Sequence, residues 1–144
     1  MCAAMEEAKT AALRDEVPIG AVIVDPATRK ILARAGNRTR ELNDPTAHAE
    51  VLVIREACKL AGAQRIPDLD LYVTLEPCAM CACAISFARI RRIIFAATDE
   101  KGGGILHGGK FYEQRTCHHK PEALYGLMQD EAATLLRDFF RAKR

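Results

Sequence analysis

Two stretches of this chain carry residues that could hold a metal ion. In "DPTAHAEVLVI", Asp44 to Ile54, His48 and Glu50 flank a single alanine. In "TLEPCAMCACAI", Thr74 to Ile85, Pro77 is followed by Cys78 and Cys81. The first pair alone fits either ordinary first-turn residues or half of a metal site. The second stretch is more specific. Proline favours the first helical position, which puts both thiols in an opening turn, and residues three apart share a helix face. The positive end of the helix dipole lowers a thiol pKa toward the thiolate that a metal needs. Cys83 falls about 200° further round the helix than Cys81 and reads as a small core residue.

Two thiolates need a third ligand, and His48 also lies at a helix start. Helices that begin at the same edge of a parallel sheet bring their N-termini together, in the crevice where such folds bind ligands. Zinc with three protein ligands keeps a fourth position for water, and two thiolates neutralise the dication. Glu50 is then a proton carrier and not a ligand. On an ideal helix, positions 48 and 50 point nearly opposite ways. Both reach one pocket only if His48 belongs to an irregular first turn.

The elements that must position these groups follow from hydrophobic periodicity and turn signals. Residues 3–14 predict a helix with Met5, Ala8, Ala12 and Leu13 at helical spacing, and residues 18–25 and 31–36 predict a strand hairpin around "DPATRK". Residues 46–62 predict a helix with Thr46 as its cap and Gly62 as its stop. A strand at 70–76, a charge-free helix from Pro77 to about Arg89 that is buried on most sides, and a strand at 91–99 follow. A Gly-rich loop spans 100–120, and 122–125 is a short edge strand or a helical turn. The last helix, 128–142, carries Leu135, Leu136, Phe139 and Phe140 on one face, with the aromatic pair expected in the core. Strand, helix, strand, helix, strand implies crossover units and a partly parallel sheet. The expected fold is one α/β domain over 1–144, a three-layer α/β/α sandwich on a mixed sheet of about five strands.

Composition narrows the function classes. A chain of 144 residues with 49% hydrophobic and 28% charged residues is globular. It lacks the roughly 18 consecutive apolar residues of a membrane span, and Glu6 and Glu7 interrupt the N-terminal apolar part, so no secretory segment is expected. The cysteines at 2, 58, 78, 81, 83 and 117 include three too closely spaced for a disulfide framework. A reducing, cytoplasmic setting with metal or catalytic thiols fits them better. Two basic clusters, Arg89/Arg91/Arg92 and the tail residues Arg137, Arg141, Lys143 and Arg144, fit either a phosphate footprint or ordinary helix-end cations. The single serine, Ser86, excludes serine-nucleophile hydrolysis. "GILHGGK", Gly104 to Lys110, has the spacing of a phosphate loop but carries Phe111 where Ser or Thr would hold Mg²⁺, so no nucleotide cofactor is expected. His118-His119 reads as a polar loop pair.

His48-Ala49-Glu50 followed by Pro77-Cys78-Ala79-Met80-Cys81 matches the H-x-E…P-C-x-x-C pattern of zinc nucleobase deaminases, a pattern taken from those enzymes and not obtained from spacing. Over almost its whole length the chain also resembles the bacterial tRNA-specific adenosine deaminases. The segments that carry the likeness are "EVPIGAVIV", "GNRTRELNDPTAHAE", "LYVTLEPCAMCACAISFARIRRIIFAATDEKGG" and "LLRDFFRAKR". The resemblance implies a cytidine deaminase-like sandwich and a homodimer. It implies hydrolytic conversion of the wobble adenosine of an arginine tRNA to inosine, with zinc-activated water attacking C6. It implies that His48, Cys78 and Cys81 bind Zn²⁺, that Glu50 shuttles the proton, that Asn37 bonds the target nucleoside and that Asp99 contacts the anticodon stem-loop. The family commonly has a Gly-Ala-x-Gly-Ser-like run where this chain has Gly102-Gly103-Gly104-Ile105-Leu106. The rival reading is a free-base or nucleoside deaminase, acting on guanine or cytosine through the same zinc site. A third is a structural-zinc RNA-binding module, which would close the fourth zinc position.

Overall fold

The structure is a computed structural model and describes residues 1–143. Arg144, the last cation of the basic tail, lies outside the described residues. The elements run α1 (Cys2–Leu13), β1 (Gly20–Asp25), β2 (Lys30–Gly36), α2 (Ala49–Ala61), β3 (Asp70–Leu75), α3 (Ala79–Phe87), β4 (Arg92–Ala97), a single 3₁₀ turn at Phe111–Glu113, β5 (Glu122–Tyr125) and α4 (Gln129–Arg141). The sheet order is β2-β1-β3-β4-β5. β1 is antiparallel to both neighbours, whereas β3, β4 and β5 are mutually parallel. The segment 122–125, open between strand and helical turn in the sequence, is therefore a strand.

Helices cover both faces of the sheet: α1 and α4 on one, α2 and α3 on the other. The larger core lies under α2 and α3. Val53, Ile54 and Ala57 from α2 and Ala82 and Ile85 from α3 meet Ile23, Leu71, Val73, Ile93 and Phe95 of the sheet. Each fully buried aliphatic or aromatic side chain there contributes about 1.5–3 kcal/mol. α1 sits unusually close to the sheet because Gly20 and Gly36 pair in register beneath it. A Cβ at Gly20 would come within 2.1 Å of the Ala4 carbonyl, and one at Gly36 within 2.6 Å of the Glu7 carbonyl.

Three expectations change. The buried stripe of α1 is Ala4, Met5, Ala8 and Ala11, while Leu13 is exposed. The small alanines face the sheet because the glycine platform leaves no room for more. Phe139 and Phe140 are not core: they contact edge-on at 5.5 Å, Phe139 is half-buried and Phe140 is exposed. α4 packs on β4 and β3 and touches α1, and part of its apolar face, with Leu136 and Phe140, looks into a groove. α3 also keeps an open face, with Ala79, Met80 and Phe87 exposed and Cys83 half-buried. Its lack of charge reflects a neutral surface as much as burial.

The first basic cluster is consumed by the fold. Arg91 forks onto the buried Asp70 at 2.8 and 2.7 Å, Arg92 pairs with Glu122 at 2.6 Å, and Arg89 donates to the His118 carbonyl at 2.9 Å. Removing Arg91 would leave the buried Asp70 carboxylate short of donors, which destabilises the folded chain. These side chains fasten β4 to its neighbours and are not an open phosphate footprint.

Candidate active site

β2 and β3 run parallel to each other on either side of β1, so α2 and α3 start at the same edge of the sheet. His48 is the N-cap of α2, with φ −71° and ψ 149°, and Cys78 is the N-cap of α3, with φ −66° and ψ 171°. Both helices thus begin later than the sequence suggested. Thr46 does not cap; its hydroxyl bonds Asp44 at 2.7 Å. The shift matters for geometry. An extended His48 is not bound by the angular spacing of a helix, so its imidazole and the Glu50 carboxylate reach the same pocket.

His48 Nδ1 lies 3.8 Å from Cys78 Sγ and 3.6 Å from Cys81 Sγ. The three ligand atoms all fall within 4.8 Å of one another. Ordinary zinc–nitrogen and zinc–sulfur bonds in a tetrahedron give a nitrogen–sulfur edge of about 3.6 Å. One imidazole and two sulfurs at those separations fit such an ion. Cys83 is not among them, as its angular offset predicted.

The electrostatics favour a cation. The Cys78 thiol is pulled down to about 4, first by a hydrogen bond from Cys81, against burial, with a bond to His48 adding. Cys81 is pushed far up because its thiol is held by Cys78 and is buried. His48 is raised by its bond to Cys78 against burial, with Glu50 adding. Two sulfurs and a ring nitrogen thus compete for protons at close range. A divalent cation displaces such protons on binding.

Glu50 is 3% exposed, and its Oε2 is buried without a hydrogen-bond partner. Among the described residues only Tyr112 Oη shares that condition. Burial raises the Glu50 pKa, the neighbouring His48 opposes this, and Cys78 adds to it. A buried carboxyl oxygen without a partner is costly and marks a place where a ligand's polar atom belongs.

A MafB19-like deaminase family model matches residues 1–144. The tRNA-specific adenosine deaminase of Agrobacterium fabrum is 59% identical over 141 residues, covering 98% of this chain and 91% of that protein. The chain belongs to the tRNA-specific adenosine deaminase family. A solved structure from work on A-to-I editing by tRNA:A34 deaminases at the wobble position of transfer RNA superimposes with a TM-score of 0.92. It is 57% identical, over 94% of this chain and 97% of that one. A guanine deaminase from Nitrosomonas europaea, at 20% identity, shares the fold with a TM-score of 0.81, over 94% of this chain and 80% of that one.

Asn37 is 4% exposed and its Oδ1 accepts the Ala49 N–H at 2.9 Å. It satisfies a donor that the start of α2 leaves open. Its amide NH₂ is the group it can offer to a ligand. Asp99 is not part of the His48–Cys78–Cys81 cluster. Its Oδ1 accepts the N–H groups of Lys101 and Gly102, both at 3.0 Å. It lines a groove of about 920 Å³ together with Val17, Leu75, Lys101, Phe140 and Arg141.

Two residues escaped the sequence reading. Glu16 is fully buried and accepts the N–H groups of Arg40 and Glu41 and the Thr39 hydroxyl, which fixes the loop leading from Asn37 to His48. Glu76 is 2% exposed and plays a similar part for the loop after β4. Burial raises its pKa, but hydrogen bonds from Asp99, His107 and Leu106 outweigh this and hold it below the usual carboxylate value. The available signal was a lone charge at the end of the apolar run "LYVTLE".

Proposed function

We propose that this chain is a single zinc-dependent deaminase domain that hydrolyses the wobble adenosine of a tRNA anticodon loop, in an arginine tRNA, to inosine and ammonia. The observation that carries this is the buried Glu50 carboxyl, its Oε2 without a partner, beside a His48–Cys78–Cys81 cluster of tetrahedral dimensions, in a chain of this family. Those three residues would hold Zn²⁺, which supplies a Lewis acid that makes water nucleophilic near neutral pH. Glu50 takes a proton from the attacking water as C6 is engaged. It gives that proton to N1 of the purine; the second proton, from the new C6 hydroxyl, passes to the amino group, which leaves as ammonia as the C6 carbonyl forms. Its burial, which raises its affinity for a proton, suits it to holding one between those events. Asn37, its oxygen already committed to Ala49, donates from its amide to the target nucleoside.

An anticodon loop suits such a pocket because its bases are unstacked and cheap to turn outward. The groove beside Asp99 supports a longer substrate than a free base: Phe140 offers a stacking surface, and Lys101, Arg137 and Arg141 offer cations to phosphates. Part of the tail is engaged elsewhere, since Lys143 pairs with Asp15 and lies over the Phe139 ring. Truncation after Phe140 is expected to weaken stem-loop binding several-fold. It should also lower the slope of log affinity against log salt by about 0.7 for each phosphate that the tail neutralises. Filter binding across a salt series reads both; unchanged affinity and slope would make the tail a helix end only.

The neutral face of α3, with exposed Met80 and Phe87, supports a homodimer, for which sedimentation equilibrium is the measurement. No helix among the described residues is long and apolar enough to cross a membrane, and a cytoplasmic enzyme fits the tRNA substrate.

The deciding experiment incubates the protein with tRNA and with free adenine, guanine and cytosine, and measures ammonia. Release from tRNA alone is expected. Release from guanine or cytosine without tRNA turnover would replace this reading with the free-base one.

A further inference from the structure

Glu76 lies at the end of β3, two residues before Cys78, and its side chain is wholly inaccessible. A fully buried carboxylate is unfavourable unless its lone pairs are met by donors. Here Oε1 accepts the N–H groups of Ile105, Leu106 and His107 at 3.1, 2.7 and 3.1 Å. Oε2 accepts the Asp99 N–H at 3.0 Å and contacts His107 Nδ1 at 2.7 Å. All of these donors come from one segment, 99–107. Successive backbone N–H groups turned toward one anion form a nest, and the nest here is closed around a side chain of the protein itself.

The glycine run explains how the segment gets so close. A Cβ at Gly103 would stand 2.5 Å from the Glu76 carboxyl carbon, and one at Gly104 would stand 2.5 Å from the Ala79 nitrogen. The Gly104 N–H donates to the Pro77 carbonyl at 2.8 Å. The loop therefore lies on the carboxylate and on the first residues of α3 at once.

We infer that Glu76 is a positioning residue for substrate: it clamps the 99–107 segment to the start of α3, so that Asp99 and the groove wall stand at a fixed place relative to the metal cluster. The inference rests on the anticodon-loop reading above. The carboxylate's hydrogen bonds all go to the 99–107 segment and none to His48, Cys78 or Cys81. It acts through Asp99 and the loop, so its loss should be felt in how RNA is held.

Glu76→Gln retains the shape but puts an NH₂ where an oxygen now accepts. The expected result is a KM for the anticodon stem-loop raised about tenfold. Expected alongside are kcat within about twofold, parental zinc content, and faster amide exchange at Asp99 and residues 105–107. Gly103→Ala leaves the carboxylate in place and pushes the loop from it, and should reproduce the same split. Parental KM in both variants would overturn the inference, and so would joint loss of kcat, zinc and melting temperature, which marks a core residue only. Unchanged amide exchange in both variants would overturn it independently of any activity. No turnover of tRNA by the parent protein would instead defeat the functional reading, while exchange still decides whether the clamp exists.

Discussion

Glu50→Ala is expected to slow ammonia release from tRNA by about 10²–10⁴-fold, the range that a positioned general acid–base contributes. Zinc content and stem-loop affinity should stay at parental levels. The expectation follows from what surrounds the carboxyl. Oε2 has no partner within the protein, and the carboxyl's contacts are confined to the Cys81 thiol and a local backbone N–H, so its removal disturbs little else. His48 is turned toward the sulfurs through Nδ1 and cannot serve as a ligand and also take over the proton. Burial makes the charged carboxylate unfavourable in the free protein. Removing it should therefore leave the melting temperature unchanged or slightly higher, as is common when a group is held for function at a cost in stability. Glu50→Gln, which fills the same space, should be as inactive as the alanine variant, and this separates proton transfer from packing. Turnover near the parental rate in either variant would remove Glu50 from the reaction.

Cys78→Ala should lose both metal and stability. With one sulfur gone, only one imidazole and one thiol remain of a three-ligand set. A metal present at about 100 times its dissociation constant contributes about 2.7 kcal/mol to the folded state. For a chain of this size, that corresponds to roughly 10 °C of melting temperature. Elemental analysis of protein purified without chelators should give near-stoichiometric zinc for the parent and almost none for the variant. Chelator treatment should bring the parent's melting curve down to the variant's. Cys83→Ala is the control, because Cys83 lies two residues past Cys81 yet takes no part in the cluster, and its zinc should be retained. Parental zinc in Cys78→Ala would dismantle the site.

The meeting of His48 with Cys78 and Cys81 was legible in the sequence. His48 and Cys78 come from segments 30 residues apart, yet each sits where a helix begins, and the parallel run of β2 and β3 brings those helix starts together. The same logic separated Cys83 from its neighbours. The alternation of strands and helices was likewise legible, because apolar periodicity of about two and about 3.6 residues distinguishes sheet from helix over these lengths.

What failed was local in one case and long-range in others. Helix starts at 46 and 77 were set too early because cap residues are extended, and propensity does not resolve an extended residue from the first helical one. That small displacement is what resolves the opposition between His48 and Glu50. Leu13, Phe139 and Phe140 have the periodicity of core residues. Which part of a helix finds a partner, however, depends on how far the sheet extends beneath it. Arg91 resembled a phosphate-binding cation until Asp70 was seen to be buried opposite it.

From its residues alone, then, the chain determines the layered fold and which histidine and cysteines come together, because each depends on spacing within one segment or on helix starts at one sheet edge. Tertiary structure alone decides that Glu16 and Glu76 are buried anchors, that Asn37 caps α2, and that α4 opens a groove beside Asp99. The physical reason is that an isolated charge or amide takes its role from donors supplied by segments far along the chain. Those partners exist only once the sheet has brought the loops together.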